Sequence, residues 1–333
     1  MVKAISLLSG GLDSTLATRL VLEQGIEVEA VNFLTVFCTC TAHGKGCLAG
    51  KSAADKLGIK LKLFEVSKEY FEVVKNPKYG YGSNINPCLD CRIFMFKKAA
   101  RYMREIGASF LITGEVLGQR PMSQRKDAMR IIERDSELEG LILRPLSARL
   151  LGPTIPEKEG MVDREKLLAI EGRSRKPQIE LARKLSINDY PCPAGGCLLT
   201  DPGFAKRMRD LIEHKPDFTM NDVRLLKVGR HFRISPKTKV IVGRNKEENE
   251  KLESLADEKD FLFRPVEVKG PVGIGRGDFK KEYFSLASSI IARYSDKGET
   301  SEIEVLYEKA PGGRSDSIRA LSMTEEDLKA LRI

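Results

Sequence analysis

The 333-residue chain has no tryptophan, three histidines and no apolar run long enough to cross a bilayer. It has no internal repeat and no low-complexity tract, which excludes solenoids and compositionally biased fibres. Its opening stretch, MVKAISLLSGGLDS, carries one Lys and only a short apolar run before a glycine turn. That reads as a first strand rather than a signal peptide, and a cytoplasmic location is the expectation. Two familiar phosphate patterns are also missing. No G-x-x-x-x-G-K-S/T run occurs, and Gly273–Gly277 does not open a helix as a dinucleotide fingerprint should.

With 41% hydrophobic and 31% charged residues, the chain can bury a substantial core and divide into two domains. Its 56 Lys and Arg outnumber 47 Asp and Glu, for a formal charge of +9. That excess favours a polyanionic partner, although charge richness without Trp equally suits a heat-adapted protein. The seven cysteines are odd in number and fall in three groups: Cys38, Cys40 and Cys47; Cys88 and Cys91; Cys192 and Cys197. In a cytosolic chain such clusters point to metal or sulfur chemistry more than to structural disulfides.

Short β-branched runs alternate with amphipathic stretches over the first two hundred residues. Strands are expected at 4–8, 27–36, 60–66, 109–113 and 141–143. Helices are expected at 15–24, 48–57 and 92–106, with a long polar loop running through Asn86. This alternation implies right-handed crossovers, and so an α/β, doubly wound, mostly parallel sheet covered on both faces. A smaller α+β domain follows, with strands at 239–243, 261–268 and 302–307 and helices at 246–256, 279–294 and 323–331. The expected domains are 1–205 and 206–333.

Ser9-Gly10-Gly11-Leu12-Asp13-Ser14 sits where the first strand hands over to the first helix. The glycines permit a tight turn and let backbone N–H groups approach a phosphate without Cβ interference. Ser9 and Ser14 add hydroxyls, and the following helix turns the positive end of its dipole to the anion. Asp13 cannot serve a phosphate directly; its natural roles are to hold Mg²⁺ or to fix the loop. The alternative is an ordinary Gly-rich turn, which six ordered residues in this context make a poor competitor.

SGGLDS after a first strand resembles the PP-loop of the ATP pyrophosphatase family. Thr113-Gly114-Glu115-x-Leu117-Gly118-Gln119, with Ser123-Gln124 after it, resembles tRNA 4-thiouridine synthetases of the ThiI type. Arg144-Pro145-Leu146-Ser147, Arg175-Lys176-Pro177 and 179–185 (IELARKL) resemble the closing segment of that type and of tRNA 2-thiouridylases. Together the matches span most of residues 1–200. The resemblance implies an adenine nucleotide alpha hydrolase-like fold and ATP cleavage between the α- and β-phosphates. It also implies adenylation of a uridine carbonyl and sulfur transfer that forms thiouridine, 4-thiouridine before 2-thiouridine. Implied nucleotide contacts are Ser9 to Ser14, Phe33, Gly114, Glu115 and Gln119. Implied partners are tRNA and a sulfur donor, either sulfide or a persulfide carrier such as a cysteine desulfurase. A homodimer is compatible with the pattern. The chain departs from ThiI-type enzymes in having no tRNA-binding domain ahead of the loop and no rhodanese-like extension.

Cys88-Leu-Asp-Cys91 lies just ahead of a helix, about a hundred residues before Pro191-Cys192-Pro-Ala-Gly-Gly-Cys197. One reading is a thiolate that carries persulfide sulfur, with its pKa lowered at a helix N-terminus. Another is a 4Fe–4S cluster with an open iron, held by Cys88, Cys91 and Cys197, with Cys192 as the alternate ligand. This resembles the three-cysteine set of the cluster-dependent PP-loop thiolases. A four-thiolate zinc site is the third reading. Cys38, Cys40, Cys47 and His43 could chelate a metal or be tolerated thiols and a surface histidine.

Arg120, Arg125, Lys126 and Arg130, and Arg173, Arg175 and Lys176, would lie near the nucleotide end of the sheet as candidate RNA contacts. Residues 228–310 resemble the NFACT-R RNA-binding domain. There Arg230, His231, Arg233, Arg244 and Lys246 could meet phosphate, and Phe232 could stack a base. The rival readings are a ligase or sulfur-inserting enzyme acting on a small molecule, and an RNA- or ribosome-binding factor with a nucleotide switch.

Overall fold

The computed structural model describes residues 2–38, 48–187, 190, 197–296, 302–310 and 312–333. Expectations for Cys40, His43, Cys47 and Cys192 therefore lie outside the described residues. The chain divides into two units at Thr200/Asp201. This is a few residues before the expected boundary, because Asp201 already begins the second unit as a helix N-cap. Its carboxylate accepts from the Phe204 N–H at 2.6 Å, and Pro202 fills the first helical turn.

The first unit contains strands β1 (Lys3–Leu7), β2 (Glu27–Leu34), β3 (Leu61–Glu65), β4 (Phe110–Thr113) and β5 (Ile142–Leu143). Its helices are α1 (Leu12–Leu22), α2 (Leu48–Leu57), α3 (Ser67–Lys75), α4 (Cys88–Glu105), α5 (Lys126–Asp135), α6 (Ile155–Lys158) and α7 (Lys176–Lys184). The strand order is β3-β2-β1-β4-β5, and every pairing is parallel. Ala4, Ile5, Phe110, Leu111 and Ile112 are fully buried, as strands covered on both faces require. One face packs Leu16, Ala17 and Val21 of α1 and Ala182 of α7. The other packs Phe96, Ala100 and Met103 of α4 and Ile132 of α5.

The chain runs outward from β1 through β2 to β3, then returns to place β4 on the other side of β1. Strand order thus reverses beside β1, and the crevice at the carboxyl ends of β1 and β4 is where an open α/β sheet binds ligands. Helices α5, α6 and α7 lie outside the expected set, and two further helices differ from expectation near the site. The polar loop contains α3, whose Tyr70, Phe71 and Val74 are buried while its charged residues face out. Helix α4 begins at Cys88 instead of Arg92, so both cysteines of the CxxC occupy its first turn.

The second unit contains α8 (Pro202–His214), α9 (Met220–Leu225), β6 (Arg230–Ser235), β7 (Thr238–Val242), α10 (Lys246–Leu255), β8 (Phe261–Pro265) and β9 (Gly273–Gly277). It ends with α11 (Lys281–Arg293), β10 (Glu302–Lys309), β11 (Ser315–Leu321) and α12 (Glu325–Leu331). The six strands form one antiparallel sheet, ordered β11-β10-β8-β9-β7-β6. Ala287, Ile290 and Ile291 of α11 pack against Phe232, Val240 and Phe263. The glycine-rich β9 is a strand because its glycines admit neighbours. A Cβ on Gly275 would sit 2.3 Å from the Phe279 ring, and one on Gly273 2.5 Å from Ile291 Cδ1. Among the described residues, no helix is long and apolar enough to cross a membrane.

Candidate active site

The loop after β1 is held from three sides. Gly10 adopts φ +78°, and a Cβ there would fall 2.3 Å from the Ala49 carbonyl carbon in the first turn of α2. Gly114, just past β4, passes so close to α1 that a Cβ would lie 2.4 Å from the Ser14 nitrogen. The Asn32 amide of β2 donates to the Leu8 carbonyl at 2.7 Å and fixes the end of the strand. Within the loop the Ser9 and Ser14 hydroxyls lie 3.1 Å apart, the Gly11 N–H donates to Ser9 Oγ at 3.3 Å, and Ser14 Oγ donates to the Gly11 carbonyl at 3.0 Å. Gly11 serves as the N-cap of α1 without a side-chain cap, so the orphan N–H groups of the first turn face the crevice. Leu12 is 1% exposed and belongs to the core, so only its backbone is available to a ligand. Phe33 stacks on Phe64 at 5.5 Å, on the α4 face of the sheet.

Asp13 faces a group that the sequence motifs only partly indicated. Arg175 Nη2 lies 3.5 Å from its Oδ2, and the carboxamides of Gln119 and Gln178 are directed at it. Burial raises the Asp13 carboxyl above its ordinary range, and the Arg175 charge opposes that shift. Asp13 Oδ1, Gln119 Nε2, Ser123 Oγ and both polar atoms of Gln178 are buried without a hydrogen-bond partner. Several unpartnered polar atoms around one loop are costly unless a polar ligand completes them. They suit a nucleotide's phosphates and a cation at Asp13.

The Arg144–Ser147 segment assembles this group. The Leu117 N–H donates to Ser147 Oγ at 2.9 Å, and that hydroxyl donates to the Ile170 carbonyl at 2.6 Å. The Gly172 N–H donates to the Leu117 carbonyl at 2.7 Å. These bonds bring Gln119 and α7, with Gln178, to the same loop. Glu115 is 1% exposed and is bound to Arg144 Nε at 3.0 Å, with Arg92 Nε 3.5 Å away. It is a strut of the site, already engaged by two guanidinium groups.

The thiols of Cys38, Cys88, Cys91 and Cys197 come from three separate segments and are each half-buried. Cys38 follows β2, whereas Cys88 and Cys91 open α4. Residues 197–200 are pinned between them. The Leu198 N–H donates to the Phe37 carbonyl at 3.1 Å, the Ile85 N–H to the Leu199 carbonyl at 3.2 Å, and the Asn84 amide to the Thr200 carbonyl at 2.7 Å. The thiols are close enough to perturb one another. Burial, together with the neighbouring Cys88 and Cys38 sulfurs, pushes Cys91 up to about 11 against the Tyr70 hydroxyl and Arg92. Burial likewise pushes Cys197 up to about 12. Tyr70, itself raised well above the ordinary phenol value by burial and these sulfurs, turns its hydroxyl toward Cys91. The helix N-terminus therefore does not activate Cys91 as expected, because desolvation outweighs it. Arg120 feels both Asp13 and Cys88, which links the two halves of the site. Among the described residues, no three His, Cys, Asp or Glu side chains stand in metal-ligating geometry.

The RNA-contact expectations in the second unit are revised. Phe232 is fully buried and lies in the core, and His231 is 2% exposed with its pKa pushed well down by burial, so neither presents a face to RNA. Arg233 is paired with Asp210 at 2.9 Å, Arg244 is bonded to Glu248, and the Arg230 guanidinium lies 4.4 Å over the Tyr294 ring. Lys246, at 91% side-chain exposure, lies 3.9 Å from Glu250 one turn along α10. Residues that the sequence motifs missed are Tyr70, Arg92 and Gln178, none of which carried a signal; Cys38 was named only as a possible chelator or a tolerated thiol.

A glycine loop joining β1 to α1 at the strand-order reversal, ringed by unpartnered polar atoms, defines a PP-loop nucleotide-binding domain. Residues 1–149 match the family model for the thiamine biosynthesis protein ThiI, and residues 229–332 match the NFACT protein RNA binding domain. Residues 1–149 are thus similar to PP-loop tRNA thiouridine synthetases of the ThiI type. Among curated relatives, a probable tRNA sulfurtransferase from Thermococcus kodakarensis is 30% identical over 54% of this chain and 44% of its own length. The tRNA-specific 2-thiouridylase MnmA of Sulfurimonas denitrificans is 32% identical over 33% of each chain. This chain thus spans less than half the length of either relative. Similar solved structures include a 4-thiouridine synthetase–RNA complex with bound ATP, at 22% identity, TM-score 0.39, and coverage of 68% of this chain and 52% of that one. The U34-tRNA thiolase NcsA from Methanococcus maripaludis, solved with its 4Fe–4S cluster, is 19% identical with TM-score 0.35, covering 67% and 70%.

Proposed function

We propose that this protein is an ATP-dependent tRNA sulfurtransferase that converts a uridine to thiouridine, with 4-thiouridine as the product. The observation that carries the reading is the meeting, within one unit and at one end of one sheet, of an anion-binding loop and a thiol cluster. The ThiI family match and the tRNA sulfurtransferase and 2-thiouridylase relatives support the same chemistry. ATP binds with its phosphates on Ser9 to Ser14, and Asp13 holds Mg²⁺ among the carboxamides of Gln119 and Gln178. Gly114 and Gln119 frame the place for the uridine, which must leave its stack to enter.

The uridine O4 attacks the α-phosphorus, and pyrophosphate leaves. Arg120 and Arg175 stabilise the negative charge that develops there. Sulfur then adds at the activated carbon, and AMP departs with the uridine's original oxygen. Cys88, Cys91 and Cys197, whose side chains are not preset in ligating geometry, would hold a 4Fe–4S cluster, which when bound supplies an open iron for incoming sulfide. Two features favour that over persulfide carriage. The thiols are gathered from separate segments, and burial drives Cys91 and Cys197 away from the thiolate form that a persulfide nucleophile needs. Metal ligation would deprotonate them outright. The second unit, which matches an RNA-binding domain, contributes the docking energy that extruding a base requires.

The test is an anaerobic reaction of the protein with ATP, sulfide and unmodified tRNA, read by nucleoside mass spectrometry and pyrophosphate release. Thiouridine should form only with ATP, and Cys88→Ala/Cys91→Ala should abolish it. ATP turnover that tRNA does not stimulate, with no thionucleoside, would overturn the reading in favour of a small-molecule substrate. A colourless, iron-free protein after anaerobic purification would remove the cluster from it.

A further inference from the structure

Cys38 has no part in the reaction proposed above, yet the backbone aligns it with one of the thiols that does. Cys38 and Cys197 form an isolated antiparallel bridge. The Leu198 N–H to Phe37 carbonyl bond lies next to the pair instead of within it. This makes Cys38 and Cys197 a non-hydrogen-bonded pair, the kind in which opposed Cα atoms approach to about 4.5 Å and the side chains are closest. Disulfides span Cα separations of about 4.4–6.8 Å, so the pair needs no backbone movement to be joined.

Both strands of the bridge are held. Phe37 is 1% exposed and packs edge-on against Tyr70 and Phe71. On the other side Leu199 is fully buried, and Thr200 closes a turn with its N–H and hydroxyl on the Cys197 carbonyl at 2.9 and 2.7 Å. Thr35 Oγ1 lies 3.4 Å from the Cys38 sulfur, across a turn that the Cys38 N–H closes on the Thr35 carbonyl at 3.1 Å.

We propose that Cys38 and Cys197 are a redox dithiol that closes to a cross-strand disulfide with a low-molecular-weight disulfide as oxidant. In the first exchange a cysteine thiolate attacks the oxidant's S–S bond, forms a mixed disulfide and releases one small thiol. In the second, the facing cysteine attacks the protein sulfur of that mixed disulfide, closes Cys38–Cys197 and releases the second small thiol. Two electrons pass to the oxidant, and both cysteine protons end on its thiol products. The consequence for activity, which rests on the reading under Proposed function, is that closure withdraws Cys197 from the sulfur-delivering set and switches thiolation off. Reduction restores it.

The test uses the full-length, metal-stripped protein equilibrated in buffers of rising oxidised-to-reduced glutathione ratio, quenched in acid, alkylated and mapped by peptide mass spectrometry. Cys38 and Cys197 should lose alkylation together and appear in one cross-linked peptide. That peptide should persist in the Cys88→Ser/Cys91→Ser variant and vanish in Cys38→Ser. Cys197 linked to Cys88 or Cys91, Cys38 linked to any other cysteine, or both remaining alkylated while Cys88–Cys91 oxidises, would each overturn the proposal. The mapping needs neither ATP nor tRNA, so its failure and a failure of the thiolation assay are separate results.

Discussion

Replacing Gly114 with Ala isolates the close approach between β4 and the nucleotide loop. The new Cβ would stand 2.4 Å from the Ser14 nitrogen and 2.6 Å from the Asp13 carbonyl carbon, both of them backbone atoms that no rotamer change can move. Ordinary contact needs the two segments to part by roughly 1 Å, and overpacking of this kind costs about 1–3 kcal/mol. If that strain falls on the ATP-bound arrangement, ATP affinity drops by about 5- to 150-fold, at about 1.4 kcal/mol per decade. If it falls on the fold, Tm drops by roughly 2–4 °C per kcal/mol for a unit of this size. Gly152→Ala is the control, since nothing lies within 4 Å of its added Cβ. Calorimetric ATP titration and thermal denaturation of both variants give the comparison. An unchanged Tm together with wild-type ATP affinity in Gly114→Ala would refute the argument that this glycine exists to let the strand end touch the loop.

Asp13→Asn should abolish pyrophosphate release and yet raise the Tm of the ATP-free protein. Burial raises the Asp13 pKa, so the stability of its protonated form is lost as pH rises through that value, and at neutral pH the folded state bears a charge it resists. A lowered Tm at pH 7 would contradict this. Cys91 and Cys197, pushed up to about 11 and about 12, should alkylate slowly at pH 8 in metal-free protein. Relative to an ordinary cysteine the rate should fall by roughly two orders of magnitude or more, recovering as pH rises toward those values, since only the thiolate reacts. Phe232→Ala should cost about 3–5 kcal/mol of stability, as a core deletion does. An RNA-affinity loss at unchanged Tm would restore Phe232 as a base-stacking residue.

The loop and the sheet were legible in the sequence because each rests on local chemistry. Six ordered residues mark a tight glycine turn between β1 and α1, and β-branched runs between amphipathic helices specify parallel crossovers. The thiol convergence was legible in part. A CxxC before a helix and a later Cys are local features, but the pairing of Cys38 with Cys197 depends on where 197–200 docks, a contact between segments about 160 residues apart. Gln178 carried no signal because a glutamine on a helix face is ordinary until three segments meet around it. Phe232 and His231 misled in the opposite direction. Within a basic run they resemble an RNA-binding surface, whereas these adjacent β6 positions point to opposite faces of a sheet that is covered on both sides, and both are buried. Strand β9 was missed because glycine weakens a strand intrinsically and is kept here for the room it leaves to Phe279 and Ile291.

The central claim is that the loop at Ser9 to Ser14 adenylates a uridine carbonyl, and isotope transfer tests it most directly. A tRNA carrying ¹⁸O at O4 of the target uridine, incubated anaerobically with the protein, ATP and sulfide, should give one ¹⁸O in the phosphate of each AMP formed per thiouridine. Thiouridine formation with unlabelled AMP, or with ADP and phosphate in place of AMP and pyrophosphate, would contradict it.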